Sequence, residues 1–244
     1  MRELELIPNI PPEVVVLDEA EPCTYLPDRT ARQPLRMPIR FLSRSELDAR
    51  LDAGDRRYGR FLYHQKCPKC RACEALRVDA PAFQPSRTQR RVKAKGDALF
   101  CVEVGPVVCD DERVELFSKH ETDRGLRRRS EPINLEGYAR FLVDSCVEGF
   151  EVRYLRDGAL CGVAIVDRGD DALSAVYTYY DPALEKASPG VYSILTEIEL
   201  CRRWGLRWLY LGLYVEACKE LAYKAQYLPH ERRIEGVWTR FEMR

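Results

Sequence analysis

The sequence predicts an α/β (α+β) fold with two unlike parts: an irregular, cysteine-containing N-terminal region over residues 1–96 and a mixed sheet with flanking helices over residues 97–244. Two observations predict it. Pro8, Pro11, Pro12, Pro22, Pro27, Pro34 and Pro38 fix φ and remove backbone donors, so the start of the chain is turns and extended strand. From Leu99 onward, apolar residues instead recur at strand and helix periods between Gly, Asp and Asn punctuation. A length of 244 residues and a 45% hydrophobic content can supply full cores. No stretch reaches the roughly 18 consecutive apolar residues of a membrane span. Met1 to Ile10 lacks the charged-then-apolar order of a signal peptide. A cytoplasmic protein with no membrane partner is therefore expected.

In the first part, Ser43-x-x-Glu46 has capping-box form and predicts a short helix to about Ala53 with Gly54 as its stop, followed by a strand at Phe61–Tyr63. In the second part a strand is expected at Leu99–Val104. Asp110 or Asp111 caps a helix to about Thr122, and Asn134 caps another with Tyr138, Phe141, Leu142 and Cys146 on one face. Strands at Glu151–Arg156, Ala159–Asp167 and Ala172–Tyr180 are joined by Asp157-Gly158 and Gly169-Asp170, which predict antiparallel hairpins. Ser188 and Pro189 start the best-marked helix, with Val191, Ile194, Leu195 and Ile198 on one face and Gly205 after it. A strand Arg207–Leu213, a helix Ala217–Gln226 and a strand Ile234–Trp238 complete the order. That order is similar to the GCN5-related acetyltransferase (GNAT) fold, in which central strands splay to admit an amine from one side and an acyl donor from the other. Acyl transfer becomes the leading reaction class. The segment Pro182–Gly190, entering the marked helix, has one glycine and no glycine pair, a poor cradle for a cofactor pyrophosphate. It argues for an acyl donor other than acetyl-CoA.

Net charge is zero, with 39 basic and 39 acidic residues, so any nucleic-acid contact rests on local segregation. Ser86 to Lys95 carries Arg87, Arg90, Arg91, Lys93 and Lys95 with no acid, and Arg124, Arg127, Arg128 and Arg129 form a second patch. Solvated faces look the same. Ten cysteines without an export signal are expected to be thiols, metal ligands or core residues. The two-residue gaps of Cys67, Cys70 and Cys73 allow zinc or an iron-sulfur cluster, with Cys23, Cys101 or His64 as a fourth ligand; a packed thiol cluster is the plainer reading. Cys101, Cys109, Cys146, Cys161, Cys201 and Cys218 are expected mostly in the core. His64, His120 and His230 give little support to a histidine triad.

Several motifs then appear in order: Cys23-Thr24-Tyr25-Leu26-Pro27, the Cys67–Cys73 run followed by Leu76-Arg77, Ser86-x-x-Gln89-Arg90-Arg91, Ser174 to Pro182, Ser188-x-Gly190-x-Tyr192, Tyr210-Leu211-Gly212 and Tyr223-Lys224-Ala225. Together they closely resemble the bacterial aminoacyl-tRNA protein transferases, relatives of the eukaryotic arginyltransferases, from about Cys23 to Trp238. The resemblance implies transfer of an amino acid from its tRNA to the α-amine of proteins beginning with Asp or Glu, producing an N-degron for proteolysis. The short bacterial form is similar to enzymes that use leucine, so leucyl-tRNA is the expected donor partner, with arginine the alternative. Leu26 stands where eukaryotic relatives carry a second cysteine, and Leu211–Val215 departs from the Gly-Tyr-Trp-Ile type of the bacterial group. An acetyl-CoA-dependent N-acetyltransferase, or an RNA-binding module with a metal-stabilised N-terminal region, are the rival readings.

Aminoacyl-tRNA is an activated ester, so peptide-bond formation from it is downhill and no cofactor is required. A free α-amine has a pKa of about 8, and placement against the ester carbonyl supplies much of the rate. Asp181, at the end of its strand, is the first candidate to hold or deprotonate the amine, and also has the look of a turn cap. Tyr177, Tyr179 and Tyr192 are candidates to line the donor site, Tyr177 and Tyr192 joining Asp181 in the expected catalytic set. Arg77 and Arg91 are expected to read the acceptor carboxylate through bidentate hydrogen bonds, with a surface or structural ion pair the alternative for either and tRNA contact an equal alternative for Arg91. Lys224 is expected to meet that carboxylate or the tRNA 3′ end. Arg87, Arg90, Lys93 and Lys95 are expected on tRNA phosphates.

Overall fold

A computed structural model describes residues 5–127 and 130–242. The chain begins with five short strands, β1 (Leu6–Ile7), β2 (Glu13–Leu17), β3 (Ala20–Pro22), β4 (Thr30–Arg32) and β5 (Leu35–Pro38), then α1 (Arg44–Asp52), β6 (Arg56–Tyr58) and β7 (Phe61–Tyr63). β8 (Glu74–Asp79), α2 (Arg87–Leu99), β9 (Cys101–Gly105), α3 (Asp111–Asp123) and α4 (Leu135–Tyr138) follow. The second half holds β10 (Gly149–Arg156), β11 (Ala159–Arg168), β12 (Ala172–Tyr180), α5 (Pro189–Arg203), β13 (Trp208–Tyr214), α6 (Lys219–Ala222), β14 (His230–Ile234) and β15 (Val237–Phe241).

Eight of these strands form one sheet in the order β15-β14-β8-β13-β12-β11-β10-β9, with β12 and β13 parallel. A smaller sheet runs β1-β2-β5-β7-β6, and β3 pairs with β4. The sequence of strand, helices, three antiparallel strands, helix and parallel strand is the GNAT-like arrangement expected. Both residues of the Asp157-Gly158 turn have positive φ, as a tight hairpin requires. Both capping boxes are made: Ser43 with Glu46 opens α1, and Ser86 with Gln89 opens α2.

α5 and α2 cover one face of the large sheet, burying Tyr192, Ile194, Leu195 and Ile198 against Leu209, Leu211 and Val152. Fully burying such side chains contributes about 1.5–3 kcal/mol each. α3 and α4 cover the other face, where Phe117, Tyr138, Tyr179, Val163 and Ile165 pack. α1 and the small sheet pack on the face away from α5, through Leu47, Leu51 and Leu62 against Trp208 and Tyr210 of the central strand β13.

Some expected boundaries move. The position between residues 96 and 97 falls inside α2, and β8, from the N-terminal part, pairs between β13 and β14 in the large sheet. The helix from Asn134 runs only to Tyr138, then becomes a π turn over Ala139–Val143. Ala217–Gln226 is a four-residue helix plus a 3₁₀ turn, Tyr223–Gln226. The last expected strand is two, because Glu235 and Gly236 both take positive φ and reverse the chain.

Candidate active site

β12 and β13 pair only at Ala172↔Trp208, Leu173↔Leu209 and Ser174↔Tyr210, although β12 runs on to Tyr180 and β13 to Tyr214. Two register irregularities sit where they separate. One lies between β11 and β12 beside Val176, the other between β13 and β8 beside Leu211. A bulge adds local twist, so each strand turns away from its former neighbour and a crevice opens at the sheet's centre.

On the β13 side, Lys224 Nζ donates to the Leu213 carbonyl at 2.9 Å, and the residue is only 9% exposed. Burial and the nearby Arg56 charge push its ammonium down to about 7. Arg56 reaches β13 from β6 across Gly212. A Cβ there would come within 1.6 Å of Arg56 Nη1, and Gly212 also has a φ of 79°, so glycine serves two needs at once. Among the described residues, Arg56 Nε has no hydrogen-bond partner. Two partly or wholly buried cations thus sit close together, an arrangement that favours an anion between them.

On the α5 side the crevice meets a polar cluster. Ser193 Oγ donates to Glu197 Oε1 at 2.9 Å, Tyr154 donates to Ser193 Oγ at 3.0 Å, and Thr178 Oγ1 of β12 lies 3.4 Å from the same oxygen. Glu197 is fully buried, and burial raises its carboxyl to about 7 against the opposing bond from Ser193. Its Oε2 has no hydrogen-bond partner among the described residues. Desolvation and then the Glu197 charge hold the Tyr223 phenol above its ordinary range.

The residues singled out in the sequence fall in several places. Asp181 accepts from Lys119 Nζ at 2.8 Å and from the Ala183 amide at 3.0 Å, capping the turn Pro182–Ala187. The Lys119 bond holds it below the usual carboxylate range, which makes it a poor proton acceptor. Tyr177 packs against Phe117 and Phe141 on the α3 face. Tyr192 lies on the opposite face, donating its hydroxyl to Asp97 at 3.0 Å, with its ring in the space Gly96 leaves. Asp181, Tyr177 and Tyr192 therefore do not converge, because the alternation of β12 and the turn of α5 send the two rings to different cores. Tyr179 is buried with its hydroxyl 2.6 Å from that of Tyr138.

Arg77 is already engaged: it bonds Glu231 at 2.7 Å, Asp52 at 2.8 Å and the Tyr210 hydroxyl at 2.9 Å, and lies 4.0 Å from the ring centres of both Trp208 and Trp238. It borders a cavity of about 240 Å³ that Asp48, Asp52 and Asp171 also line, an acidic setting for a carboxylate ligand. Arg91 is exposed on α2 with Arg87 and Arg90. Lys93 is held by Asp97 at 2.6 Å and Glu199 at 2.9 Å, and Lys95 donates to the Lys186 carbonyl at 2.7 Å. Both lysines fasten α2 to its neighbours. Arg124 sits over Tyr180 and Arg127 is exposed, while Arg128 and Arg129 lie outside the described residues.

All ten cysteines are free thiols. Cys146, Cys161, Cys201 and Cys218 are buried as expected, but Cys101 and Cys109 are exposed. Cys73 is raised to about 12 by burial and by the charges of Cys67, Cys23 and Cys70. The four thiols are neighbours, yet among the described residues no group of three or more His, Cys, Asp or Glu side chains is arranged to hold a metal ion.

Arg56, Thr178, Ser193 and Glu197 escape a sequence reading. The available signal was Ser193-x-x-x-Glu197, two polar residues at helical spacing inside the apolar stripe of α5.

A GNAT-like sheet opened at its centre, with hydroxyls and an acid on one side and cations on the other, defines the chain as an acyltransferase. Family models described as arginine-tRNA-protein transferase, N terminus and C terminus, match residues 21–91 and 112–234, so the chain belongs to the arginine-tRNA-protein transferase family. It is 37% identical over 220 residues to an aspartate/glutamate leucyltransferase of Thiobacillus denitrificans, covering 90% of this chain and 91% of that one. A protein of the same name from Aeromonas hydrophila is 36% identical, with 90% and 92% covered. Solved structures give fainter likenesses. The C-terminal domain of a putative lysylphosphatidylglycerol synthetase from Agrobacterium fabrum aligns at a TM-score of 0.47 with 16% identity over 59% of this chain and 47% of that one. FemX aligns at 0.46 with 8% identity over 86% and 79%. Likenesses of that degree support no functional statement.

Proposed function

We propose that the chain transfers leucine from leucyl-tRNA to the N-terminal α-amine of proteins that begin with Asp or Glu, marking them for N-degron proteolysis. The observation that carries this reading is the identity of 37% over nine-tenths of the chain to a relative named aspartate/glutamate leucyltransferase. The crevice supports it chemically. The acceptor amine enters between β12 and β13, and the side-chain carboxylate of its residue pairs with Arg56 and Lys224, which have no acidic partner among the described residues. In a low-dielectric pocket such a charge-assisted pair is worth more than at the surface. Arg77, held by two carboxylates, is a support for that wall rather than the reader.

The leucyl ester supplies the driving force, so transfer requires no cofactor, and holding amine and ester together accounts for much of the acceleration. Arg87, Arg90 and Arg91 on the outer side of α2 meet tRNA phosphates, with Arg124 and Arg127 a second surface. The reaction belongs in the cytoplasm, where charged tRNA is found; among the described residues no helix is long and apolar enough to cross a membrane.

The test is incorporation of labelled amino acid from leucyl-tRNA and arginyl-tRNA into peptides beginning with Asp, Glu, Lys or Ala. Leucine should enter the Asp and Glu peptides only. Incorporation from arginyl-tRNA alone would reassign the donor, and incorporation from neither would overturn the reading. Arg56→Met should raise the KM for the Asp peptide and narrow its advantage over the Ala peptide.

A further inference from the structure

We infer that Glu197 is the terminal proton acceptor of the transfer reaction, reached from the acceptor amine through the hydroxyls of Thr178 and Ser193. The inference rests on the transfer reading above. Thr178 lies on β12 beyond its last pair with β13 and is half-buried, so it stands at the wall of the crevice. Behind it, the three groups are in series: Thr178 Oγ1 is 3.4 Å from Ser193 Oγ, which is 2.9 Å from Glu197 Oε1.

The series has a direction. A hydroxyl has one proton to give and two lone pairs to accept. Ser193 gives its proton to Glu197 and accepts one from Tyr154, which leaves its second lone pair for Thr178. Protons arriving from the crevice are thus handed inward. The groups that feel the Glu197 charge are Tyr154 from β10, Tyr223 and Tyr227 from the segment after α6, and Cys201 one turn further along α5. Burial keeps each of these protonated at neutral pH, so none competes for the proton and none neutralises the carboxylate. A carboxyl raised to about 7 changes protonation in the working range, as a base of this kind should. A purely structural role fits poorly, because a fully buried acid with an unpartnered Oε2 destabilises the fold it sits in.

In the step itself, the neutral amine nitrogen attacks the ester carbonyl carbon and a C–N bond forms. One N–H proton passes to Thr178 Oγ1, the Thr178 proton to Ser193 and the Ser193 proton to Glu197. The bond between the carbonyl carbon and the ribose oxygen breaks, and that oxygen keeps the electron pair and takes a proton from solvent. Glu197 then returns its proton to solvent, so the count closes.

The test is single-turnover transfer from leucyl-tRNA to an Asp-initiated peptide across a pH series, with Glu197→Gln, Ser193→Ala and Thr178→Val. Glu197→Gln should lower the rate on the order of 10²-fold with both KM values held within about twofold. In the wild type, the amine and Glu197 must both be deprotonated, so the logarithm of the rate should rise with a slope near two on the acid side. In Glu197→Gln only the amine remains, and the slope should fall to one. Thr178→Val and Ser193→Ala leave the acid in place and should cut the rate at least about tenfold in folded protein, Thr178→Val near the wild-type Tm and Ser193→Ala at a lower one, since it strips Tyr154 and Glu197 of a buried partner. An active wild type, with both hydroxyl variants at full rate or with slope unchanged in a folded Glu197→Gln, would overturn the relay alone. A wild type inactive with both tRNAs would overturn the transfer reading and the relay with it.

Discussion

Glu197 and Lys224 flank the crevice with titrations moved toward neutrality from opposite ends. Glu197 rises from 4.5 to about 7 on folding, so between those values the native state holds a proton that the unfolded chain has lost. Stability therefore falls as pH climbs through that window. Glu197→Gln removes the loss: its Tm should match the wild type near pH 4.5 and exceed it above pH 7, by a free energy on the order of 3 kcal/mol. Lys224 falls from 10.5 to about 7, so the native state holds fewer protons between those values and stability rises with pH there. Lys224→Met should stabilise most below pH 7, by up to about 5 kcal/mol, and the gain should vanish near pH 10.5. Denaturant melts at pH 5, 7 and 9 check both; gains with the opposite pH order would contradict the burial assigned here. Lys224 could be singled out from sequence because it interrupts an apolar run. Glu197 leaves only a faint trace, the Ser193-x-x-x-Glu197 spacing, since a polar residue on α5 looks solvent-facing until the helix is seen packed on the sheet.

The elements were legible where capping chemistry is local. Ser43/Glu46 and Ser86/Gln89 mark their helices because both partners lie within one turn. β8 was not legible: Glu74–Asp79 is short, follows the cysteine run and draws its identity from β13 and β14, far away in sequence. Arg77 on β8 carries the consequence at the site. The residue type was right for reading a carboxylate, but the carboxylates it reads are Glu231 and Asp52 of the same chain. Arg77→Ala should cost about 3–5 kcal/mol, the range for leaving buried charge unpaired, and leave the preference for Asp over Ala peptides unchanged. Chemical denaturation beside the peptide assay separates these outcomes. For α2, replacing Arg87, Arg90 and Arg91 with Ala should weaken tRNA binding and reduce the slope of log affinity against log salt by about 2–3, since each phosphate contact contributes about 0.7–0.9. An unchanged slope would move the tRNA surface elsewhere.

Across the whole molecule, the small sheet is tied to the large one by a fully desolvated ion pair. Arg57 of β6 donates from Nε to both oxygens of Asp167 on β11, and the two side chains are 3% and 1% exposed. Asp167→Ala leaves Arg57 buried without its acid and should cost about 3–5 kcal/mol in a single cooperative transition. Separate melting of two parts would show them less joined than this pair implies. The overall class was legible because three successive antiparallel strands and a parallel return over a helix leave little choice of topology. The crevice was not, because it depends on two register shifts that leave no pattern in the residues.

The place of β8 also sets a condition on synthesis. The strand leaves the ribosome well before Trp208–Tyr214 and His230–Ile234, the two segments it lies between, have been made. Until then its edges have no permanent neighbours, and nascent chains stalled after α5 should bind chaperones and be cut readily by proteases. The same geometry means that a fragment beginning at residue 97 lacks the strand that joins β13 to β14.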